Sequence, residues 1–377
     1  MRMCGVEERL ITGDAPCREK FMAYAAVMPR LAGNPVYDWT HLELARVYGI
    51  GETLSAQTAQ DIYERANQKS VDVSSLLKQF RVQFVATTDD PADDLAAHGR
   101  YGDTVVAPTF RPDKLSVPDE AYLVKLGAAA GVRIQTLDDL LEALTRRLDF
   151  FVSKGCRVSD HGFLHFPARY ADAREAKALF AKRGALSAQE QDAFFGFLLE
   201  WLAREYARRG MLMQLHFSVI RNCNTRMYAR CGADAGFDLP ASEQSVEGLV
   251  RFLDRIADEE RPETVLYTLS DGNLPALAAA TGAFRRVRMG AAWWFNDTVQ
   301  GIRKNLRTIM EYAALGTHFG MLTDSRSFSS YVRFEFFRRI LADELGALVG
   351  EGRCDLSTAI SLAQRVSYYN IKEALGL

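Results

Sequence analysis

Seven short apolar stretches, each followed by polar residues and separated by helix-forming sequence, constrain the fold of this chain more than any other feature. The last stretch contains Phe319, Met321 and Leu322 and leads to Asp324 and Arg326. Parallel neighbouring strands need long crossover connections, which helices provide, so this alternation predicts a parallel sheet. Polar side chains at the carboxyl ends of parallel strands are typical of an active site.

The predicted strands are Val82–Ala86, Thr104–Phe110, Gly155–Ser159, Met213–Val219, Thr264–Leu269, Val287–Ala292 and Phe319–Leu322. No G-x-G-x-x-G or Walker sequence accompanies them, which favours a barrel over a doubly wound nucleotide-binding sheet. A closed barrel of this type has eight strands. We therefore predict an α/β protein with a (β/α)8 TIM-type barrel that lacks its first strand. The barrel domain spans residues 81–377 and follows a helical region of residues 1–80.

Composition limits the partners and the location that the sequence predicts. The formal net charge is −2 and the basic residues are dispersed, so a nucleic-acid partner is not expected. The six cysteines include no Cys-x-x-Cys pair, which is typical of reduced thiols. The start lacks the apolar core of a signal peptide, and no apolar run approaches the roughly 18 residues of a membrane span. We predict a cytoplasmic protein without a membrane partner.

Polar side chains at the predicted strand ends form the candidate site. They are Asp89, Asp90, Arg111, Asp113, Asp160, His161, His216, Arg221, Trp293, Asn296, Asp297, Asp324 and Arg326. Arginines on one rim predict an anionic substrate, because a guanidinium binds a carboxylate or phosphate through two parallel hydrogen bonds. The alternative for each arginine is a salt bridge to a nearby aspartate, and the alternative for Asp324 is a helix cap.

The histidines allow two interpretations. His216 lies within a predicted strand and either faces the barrel interior or is a core histidine. His161 lies on a predicted turn, where it is favoured as functional, with a hydrogen bond to Asp160 as the alternative. Asp324 with one or two imidazoles would suit a zinc-like centre, although the chain contains no His-x-His or His-Glu-x-x-His pair. Trp293 either walls a sugar or fills space.

Nine ordered motifs span nearly the whole chain. They are Ile11–Asp14, Gly33–Pro35, Trp39–Leu44, Thr87–Pro91, Pro108–Asp113, Ser159–Gly162, Gln214–His216 with Arg221–Asn222, Ala292–Asp297 and Leu322–Phe328. Together they resemble the uronate isomerase family, also called glucuronate isomerase, of the amidohydrolase superfamily. The resemblance implies interconversion of D-glucuronate with D-fructuronate and of D-galacturonate with D-tagaturonate. It also implies an enediol route in which a base moves a proton between C2 and C1.

The resemblance also implies roles for individual residues. Asp324 corresponds to a metal ligand or acid–base group, and His216 to a histidine on the fifth strand, so both are predicted to be catalytic. Arg111, Arg326 and Trp293 are predicted to bind the substrate. The implied cofactor is a divalent metal, zinc, held by Asp324, and the implied partner is a small sugar acid.

The resemblance departs from the family's pattern at the start of the chain. Family members begin with a further segment that supplies the first barrel strand and a His-x-His pair, so we expect a shortened sequence here. An open barrel would expose strand edges and favour a homo-oligomer. One alternative function is a non-catalytic remnant that binds sugar acids or a partner chain. Another is metal-dependent hydrolysis, which is disfavoured because the fourth strand end lacks a bridging lysine and the sixth lacks a histidine.

Overall fold

The computed structural model describes residues 1–116, 119–241 and 245–377. Within them the α-helices are α1 Cys17–Val27, α2 Pro35–Glu43, α3 Ala59–Gln68, α4 Val73–Gln79, α5 Glu120–Ala130, α6 Leu137–Ser153, α7 Ala173–Ala181, α8 Ala188–Arg208, α9 Thr225–Cys231, α10 Glu247–Asp254, α11 Leu274–Ala283, α12 Val299–Tyr312, α13 Val332–Gly350, α14 Leu356–Gln364 and α15 Asn370–Leu375. The strands are β1 Phe84–Ala86, β2 Gly99–Tyr101, β3 Thr104–Ala107, β4 Thr109–Phe110, β5 Val158–Gly162, β6 Leu212–Phe217, β7 Val219–Ile220, β8 Leu239–Pro240, β9 Thr264–Thr268 and β10 Val287–Met289. None of these helices is both long and apolar enough to span a lipid bilayer.

The central feature is a parallel array in the order β1, β3 with β4, β5, β6, β9 and β10. Strand β1 pairs with β3, and β4 pairs with β5. Pro108 separates β3 from β4 because it has no backbone N–H to donate. A parallel bridge between Asp89 and Phe110 continues the pairing past this proline. The predicted parallel α/β architecture is confirmed, while β2 and the β7–β8 hairpin were not predicted.

Alternate residues of each strand face opposite sides of the array, as the pleat requires. In β6, Leu212 belongs to a small core with Val158 and Val265 from the neighbouring strands. Met213 and Leu215 belong to the large core that the surrounding helices complete. The Leu212 side is therefore the interior of the array, and the Met213 side faces the helices. This parity decides which polar side chains reach the interior.

The predicted strand at Phe319–Leu322 is wrong, because the segment is irregular. Gly320 has a φ of 76°, which departs from an extended chain, and its N–H donates to Nδ1 of His318 at 2.9 Å. A Cβ on Gly320 would lie 2.5 Å from the carbonyl oxygen of Val366, so the close approach of these backbones requires glycine. The apolar side chains of the segment still pack against the interior core.

Helices α1 to α4 precede the first strand, and α1 to α3 with their connecting segments build a small core that includes Met28, Ile50 and Ile62. Leu76 of α4 packs instead with Val332 of α13. Arg46, in the segment after α2, pairs with Glu335 of α13 at 2.8 Å. The helical character predicted for residues 1–80 is confirmed. The division into domains at residues 80 and 81 stays a prediction.

Candidate active site

The interior face carries polar groups at the carboxyl ends of its strands. Asp160 lies two residues after Val158 in β5, and His216 lies four residues after Leu212 in β6. Because Val158 and Leu212 both face the interior, Asp160 and His216 face it too. The backbone ladder of β5, β6 and β9 therefore places these two side chains.

Asp160 links Arg111 to His216. It is 7% exposed, and its Oδ2 accepts a hydrogen bond from Nη1 of Arg111 at 2.9 Å. Its Oδ1 lies 2.6 Å from Nδ1 of His216. Burial alone would raise the pKa of Asp160, but its interactions with His216 and Arg111 lower it to about 2. Nδ1 is therefore the ring nitrogen of His216 next to the carboxylate, and Nε2 is the nitrogen that remains for a ligand.

Arg111 is held by two carboxylates. Its Nε donates to Oδ2 of Asp113 at 2.8 Å, in addition to the bond that its Nη1 makes to Asp160. Burial opposes the charged form, but Asp160 and Asp113 together raise the pKa of the guanidinium, and the charge of Asp324 adds to this effect. Nη2 has no hydrogen-bond acceptor within the described ranges, so its two N–H groups remain for a ligand.

Aromatic rings fix the plane of the His216 imidazole. Tyr267, its direct partner in the register of β6 and β9, stacks on it with ring centroids 4.3 Å apart and planes 7° apart. Trp293 packs on the same ring at 4.5 Å and 60°. The hydroxyl of Tyr267 donates to Oε1 of Gln214 at 3.0 Å. A Cβ on Gly290 would lie 2.3 Å from Cε1 of Tyr267, so the absence of a side chain there makes room for the stack.

Trp293 connects this cluster to Asp324. Its Nε1 donates to Oδ2 of Asp324 at 2.8 Å. Asp324 has a φ of 43°, a left-handed conformation that aspartate tolerates better than bulky residues do. The structure thus joins Arg111, Asp160, His216, Trp293 and Asp324 in one chain of contacts.

Arg326 does not join this cluster. Its side chain is 86% exposed, and its Nη2 donates to Oδ2 of Asp234 at 2.8 Å. Arg221 also lies outside the chain of contacts, where it donates to Asp238 at 3.0 Å and its guanidinium lies 4.7 Å from the ring centre of Trp294. The salt bridges that were the alternative for each arginine are therefore present at all three positions, while their roles in substrate binding stay predictions.

His161 is a core histidine, which corrects its favoured functional role. The predicted strand ended at Ser159 and put Asp160 and His161 on a turn, but β5 continues to Gly162. His161 therefore faces the helices, where its Nε2 lies 3.1 Å from the hydroxyl of Tyr206, and burial lowers its pKa to about 4. The partner of Asp160 is His216 instead. Had the predicted strand continued through His161, strand alternation would have placed Asp160 and His161 on opposite faces of the sheet.

Tyr267 was also missed as a site residue. It lies inside the predicted strand Thr264–Leu269, whose side chains include no charged group. Nothing in the sequence marks it except that it has the same interior parity as Val265, and that parity depends on the pairing with β6. Its contact with His216 depends on the order of the strands.

The residues around Asp324 do not by themselves complete a metal site. Within the described ranges, no group of three or more His, Cys, Asp or Glu side chains could hold a metal ion. One carboxylate oxygen of Asp324 accepts from the indole of Trp293. Asp324 thus provides a single carboxylate ligand, and the predicted zinc lacks further described ligands here.

Comparison with known proteins relates the whole chain to one family. The family model described as glucuronate isomerase matches residues 1–375. The uronate isomerase of Caldanaerobacter subterraneus subsp. tengcongensis is 40% identical over 402 aligned residues, which cover 100% of this chain and 86% of the relative. The uronate isomerase of Salmonella arizonae is 42% identical, over 93% of this chain and 80% of the relative.

Solved structures give the same result for the fold. The uronate isomerase from Thermotoga maritima superposes with a TM-score of 0.95 at 32% identity and covers 99% of this chain and 86% of its own. The glucuronate isomerase from Caulobacter crescentus superposes with a TM-score of 0.93 at 26% identity, over 100% of this chain and 83% of its own. These superpositions confirm the predicted barrel-type α/β fold, while the missing first strand stays a prediction.

Proposed function

Because the chain belongs to the glucuronate isomerase family, we propose that it interconverts D-glucuronate with D-fructuronate and D-galacturonate with D-tagaturonate at the Asp160–His216 cluster. The chain is an isomerase of sugar acids, since uronate isomerases match it at about two-fifths identity along its length. This relationship does not favour the non-catalytic remnant or the hydrolase.

The observation that carries the catalytic assignment is the contact between Asp160 and His216. A buried ionised carboxylate 2.6 Å from Nδ1 favours the imidazole orientation in which Nε2 faces away from Asp160. Nε2 has no hydrogen-bond partner in the part of the chain that the structure describes. It is therefore the atom of this cluster best suited to take and return a proton.

The proposed reaction moves one proton between adjacent carbons. In the open-chain aldose, Nε2 of His216 takes the proton from C2, the C2–H electron pair forms the C1=C2 bond, and the aldehyde oxygen O1 gains a proton. The enediol then loses the proton of its O2 hydroxyl, C1 receives a proton, and a C2 carbonyl forms. Asp324, at the far end of the contact chain, is the second proposed acid–base group. Asp160 stays ionised and orients His216.

Binding of the sugar acid is proposed for Arg111, Arg326 and Trp293. Arg111 offers its free Nη2 beside the reacting groups, and a guanidinium binds a carboxylate strongly. Trp293 presents an aromatic wall between His216 and Asp324. Arg326 would have to turn from Asp234 towards the mouth to take part. Self-association and a cytoplasmic location stay predictions.

A divalent metal is suggested by membership of the family, and zinc at Asp324 is our specific proposal. The proposal rests on the resemblance, because the described residues supply only Asp324 and do not complete a coordination sphere. The proton transfers above are accordingly assigned to protein side chains, and none of them is derived through the metal.

The test is ketose formation from D-glucuronate and D-galacturonate by the purified chain, with and without added zinc, followed in deuterated water. Deuterium should enter C1 of the ketose, because the proton taken by His216 exchanges with solvent. Asp160→Asn should lower kcat about 10²- to 10⁴-fold, as expected when a general base loses its orienting partner. Asp343→Asn is the matched control, since Asp343 also pairs with an arginine but lies exposed on α13. Absence of ketose from the folded chain under all these conditions would overturn the proposal.

A further inference from the structure

A buried arginine lies behind the loop that carries Asp324. Arg333, in the first turn of α13, is only 8% exposed. Its Nη1 donates to the carbonyl oxygen of Thr323 at 2.6 Å, and its Nη2 pairs with the carboxylate of Asp297. Its guanidinium lies 4.1 Å from the ring centre of Trp39 in α2. Arg333 therefore touches the residue before Asp324 and a residue of the loop that contains Trp293.

The two segments that Arg333 joins meet again at the site. Trp293 and Asp297 flank the short 3₁₀ helix Trp294–Asn296, and Trp293 donates to Asp324 at 2.8 Å. Thr323 and Asp324 belong to an irregular segment without ladder hydrogen bonds. Since no strand pairing holds this backbone, its position depends on the side chains that bind it. Arg333 of α13 binds the carbonyl oxygen of Thr323, and Trp293 binds the carboxylate of Asp324.

Stability alone explains this cluster poorly. Arg333 Nε, Asp297 Oδ1 and Trp39 Nε1 are buried without a hydrogen-bond partner in the described part of the chain. Burial raises the pKa of Asp297 even though Arg333 lies beside it. A buried ion pair with unpaired polar atoms recovers little of its desolvation cost. The cluster is better accounted for by the geometry that it imposes on the two loops.

We propose that Arg333 is a positioning residue, which sets the location of the Asp324 carboxylate by clamping the Thr323 carbonyl to Asp297. The proposal rests on the proposed function, in which Asp324 is an acid–base group. The planar guanidinium is required because it serves two acceptors in fixed directions, whereas a lysine ammonium serves them as a point charge. Small displacements of a reacting group are costly to catalysis, since about 1 Å can lower a rate by roughly 10²-fold.

The test compares Arg333→Lys with Arg261→Lys. Arg261 is an equally buried arginine that donates to backbone carbonyls, but it lies before β9, away from the carboxyl ends of the strands. Arg333→Lys should lower kcat by about 10- to 100-fold with a smaller change in KM. Arg261→Lys should lower the melting temperature by a similar amount and leave kcat of the folded enzyme unchanged. Equal kcat values for the two variants would assign Arg333 a purely structural role and overturn the proposal.

A second readout does not depend on turnover. The indole N–H resonance of Trp293, assigned by its loss in Trp293→Phe, reports the hydrogen bond to Asp324. It should shift in Arg333→Lys and stay in place in Arg261→Lys. An unmoved resonance in Arg333→Lys would overturn the clamp even if the wild-type chain is an active isomerase. A shifted resonance in an inactive chain would support the clamp while the proposed function fails.

A second variant keeps the test usable if Arg333→Lys does not fold. Asp297→Asn retains the arginine and the size of its partner but removes the charge that orients the guanidinium. The indole resonance of Trp293 should shift in this variant as well. An unchanged resonance and an unchanged kcat in Asp297→Asn would contradict the clamp.

Discussion

Two walls of the candidate site are built in different ways. The strand wall consists of Asp160, His216 and Tyr267, which lie on the paired strands β5, β6 and β9. The loop wall is the irregular segment Phe319–Ser327, which carries Asp324. Backbone hydrogen bonds fix the first wall, and side-chain bonds from Trp293 and Arg333 fix the second.

This difference indicates how each wall should respond to the substitution of a side chain. A laddered strand holds its side chains even when one of them is replaced, so a substitution there removes chemistry and leaves the geometry. The loop wall has no ladder, so the loss of a distant side chain moves the carboxylate itself. The left-handed φ of 43° at Asp324 adds a local conformational cost that the surrounding contacts must hold in place.

The largest expected effect comes from His216→Gln in the strand wall. Glutamine can hydrogen-bond to Asp160 but cannot take a proton at the position of Nε2, so kcat should fall about 10²- to 10⁴-fold. The melting temperature should change little, because the β6 ladder remains. Steady-state kinetics and calorimetry measure the two quantities. A loss of folding that matches the loss of activity would contradict the distinction between the walls.

The pH dependence of stability should be steep, because a buried histidine lies next to each wall without being part of it. His161 lies in β5 and His318 directly precedes the loop wall, and burial lowers the pKa of both to about 4. Between pH 6.5 and 4 the unfolded chain binds more protons than the folded one, so the free energy of unfolding falls as the pH is lowered. Each histidine should account for on the order of 3 kcal/mol.

Urea titrations across this pH range measure the effect. His161→Gln and His318→Gln should each reduce the slope of stability against pH, and the double variant should reduce it further. A slope that the two substitutions leave unchanged would mean that other groups bind the protons.

Gly290→Ala should disturb the strand wall through Tyr267. The new Cβ would lie 2.3 Å from Cε1 of Tyr267, and overpacking of this kind costs about 1–3 kcal/mol. Combining it with Tyr267→Leu should recover part of the loss, which a double-mutant cycle would detect. Gly282→Ala in α11 is the control, because its Cβ meets nothing within 4 Å and alanine favours a helix. Similar unfolding free energies for Gly290→Ala and Gly282→Ala would contradict the proposed clash.

Arg326→Ala should have the smallest effect on stability. Its side chain is 86% exposed, so the change in unfolding free energy should stay below about 0.5 kcal/mol. If Arg326 turns to bind the sugar acid, KM should rise about tenfold, the value of one charged hydrogen bond. Arg353→Ala is the control, since Arg353 is exposed and, among the residues that the structure describes, pairs with Glu351 alone. Equal KM values for the two variants would remove Arg326 from the substrate-binding set.

Local sequence identified the segments that form the parallel array and the polar residues that follow them. Alternating apolar residues and helical spacers identified most strands of the parallel array, because each strand must bury one or both faces wherever it lies. Arg111, His216, Trp293 and Asp324 were predicted to lie at one mouth, and the contact chain that runs through Asp160 brings them together.

Only the tertiary structure decided which neighbour of a pair faces inward. Asp160 and His161 are adjacent, and both side chains are suited to chemistry. The register of β5 against β6 places Asp160 on the interior face, in the site, and His161 on the helix face, next to Tyr206. The apolar residues after His318 predicted a strand. The chain instead changes direction at Gly320, whose backbone lies close to the carbonyl oxygen of Val366. The role of Arg333 could not be predicted, because its two acceptors, Thr323 and Asp297, lie in separate loops. The face on which a strand residue lies, the close approach of two backbones and the pairing of distant side chains all depend on the position of other parts of the chain. The local sequence alone therefore does not predict them.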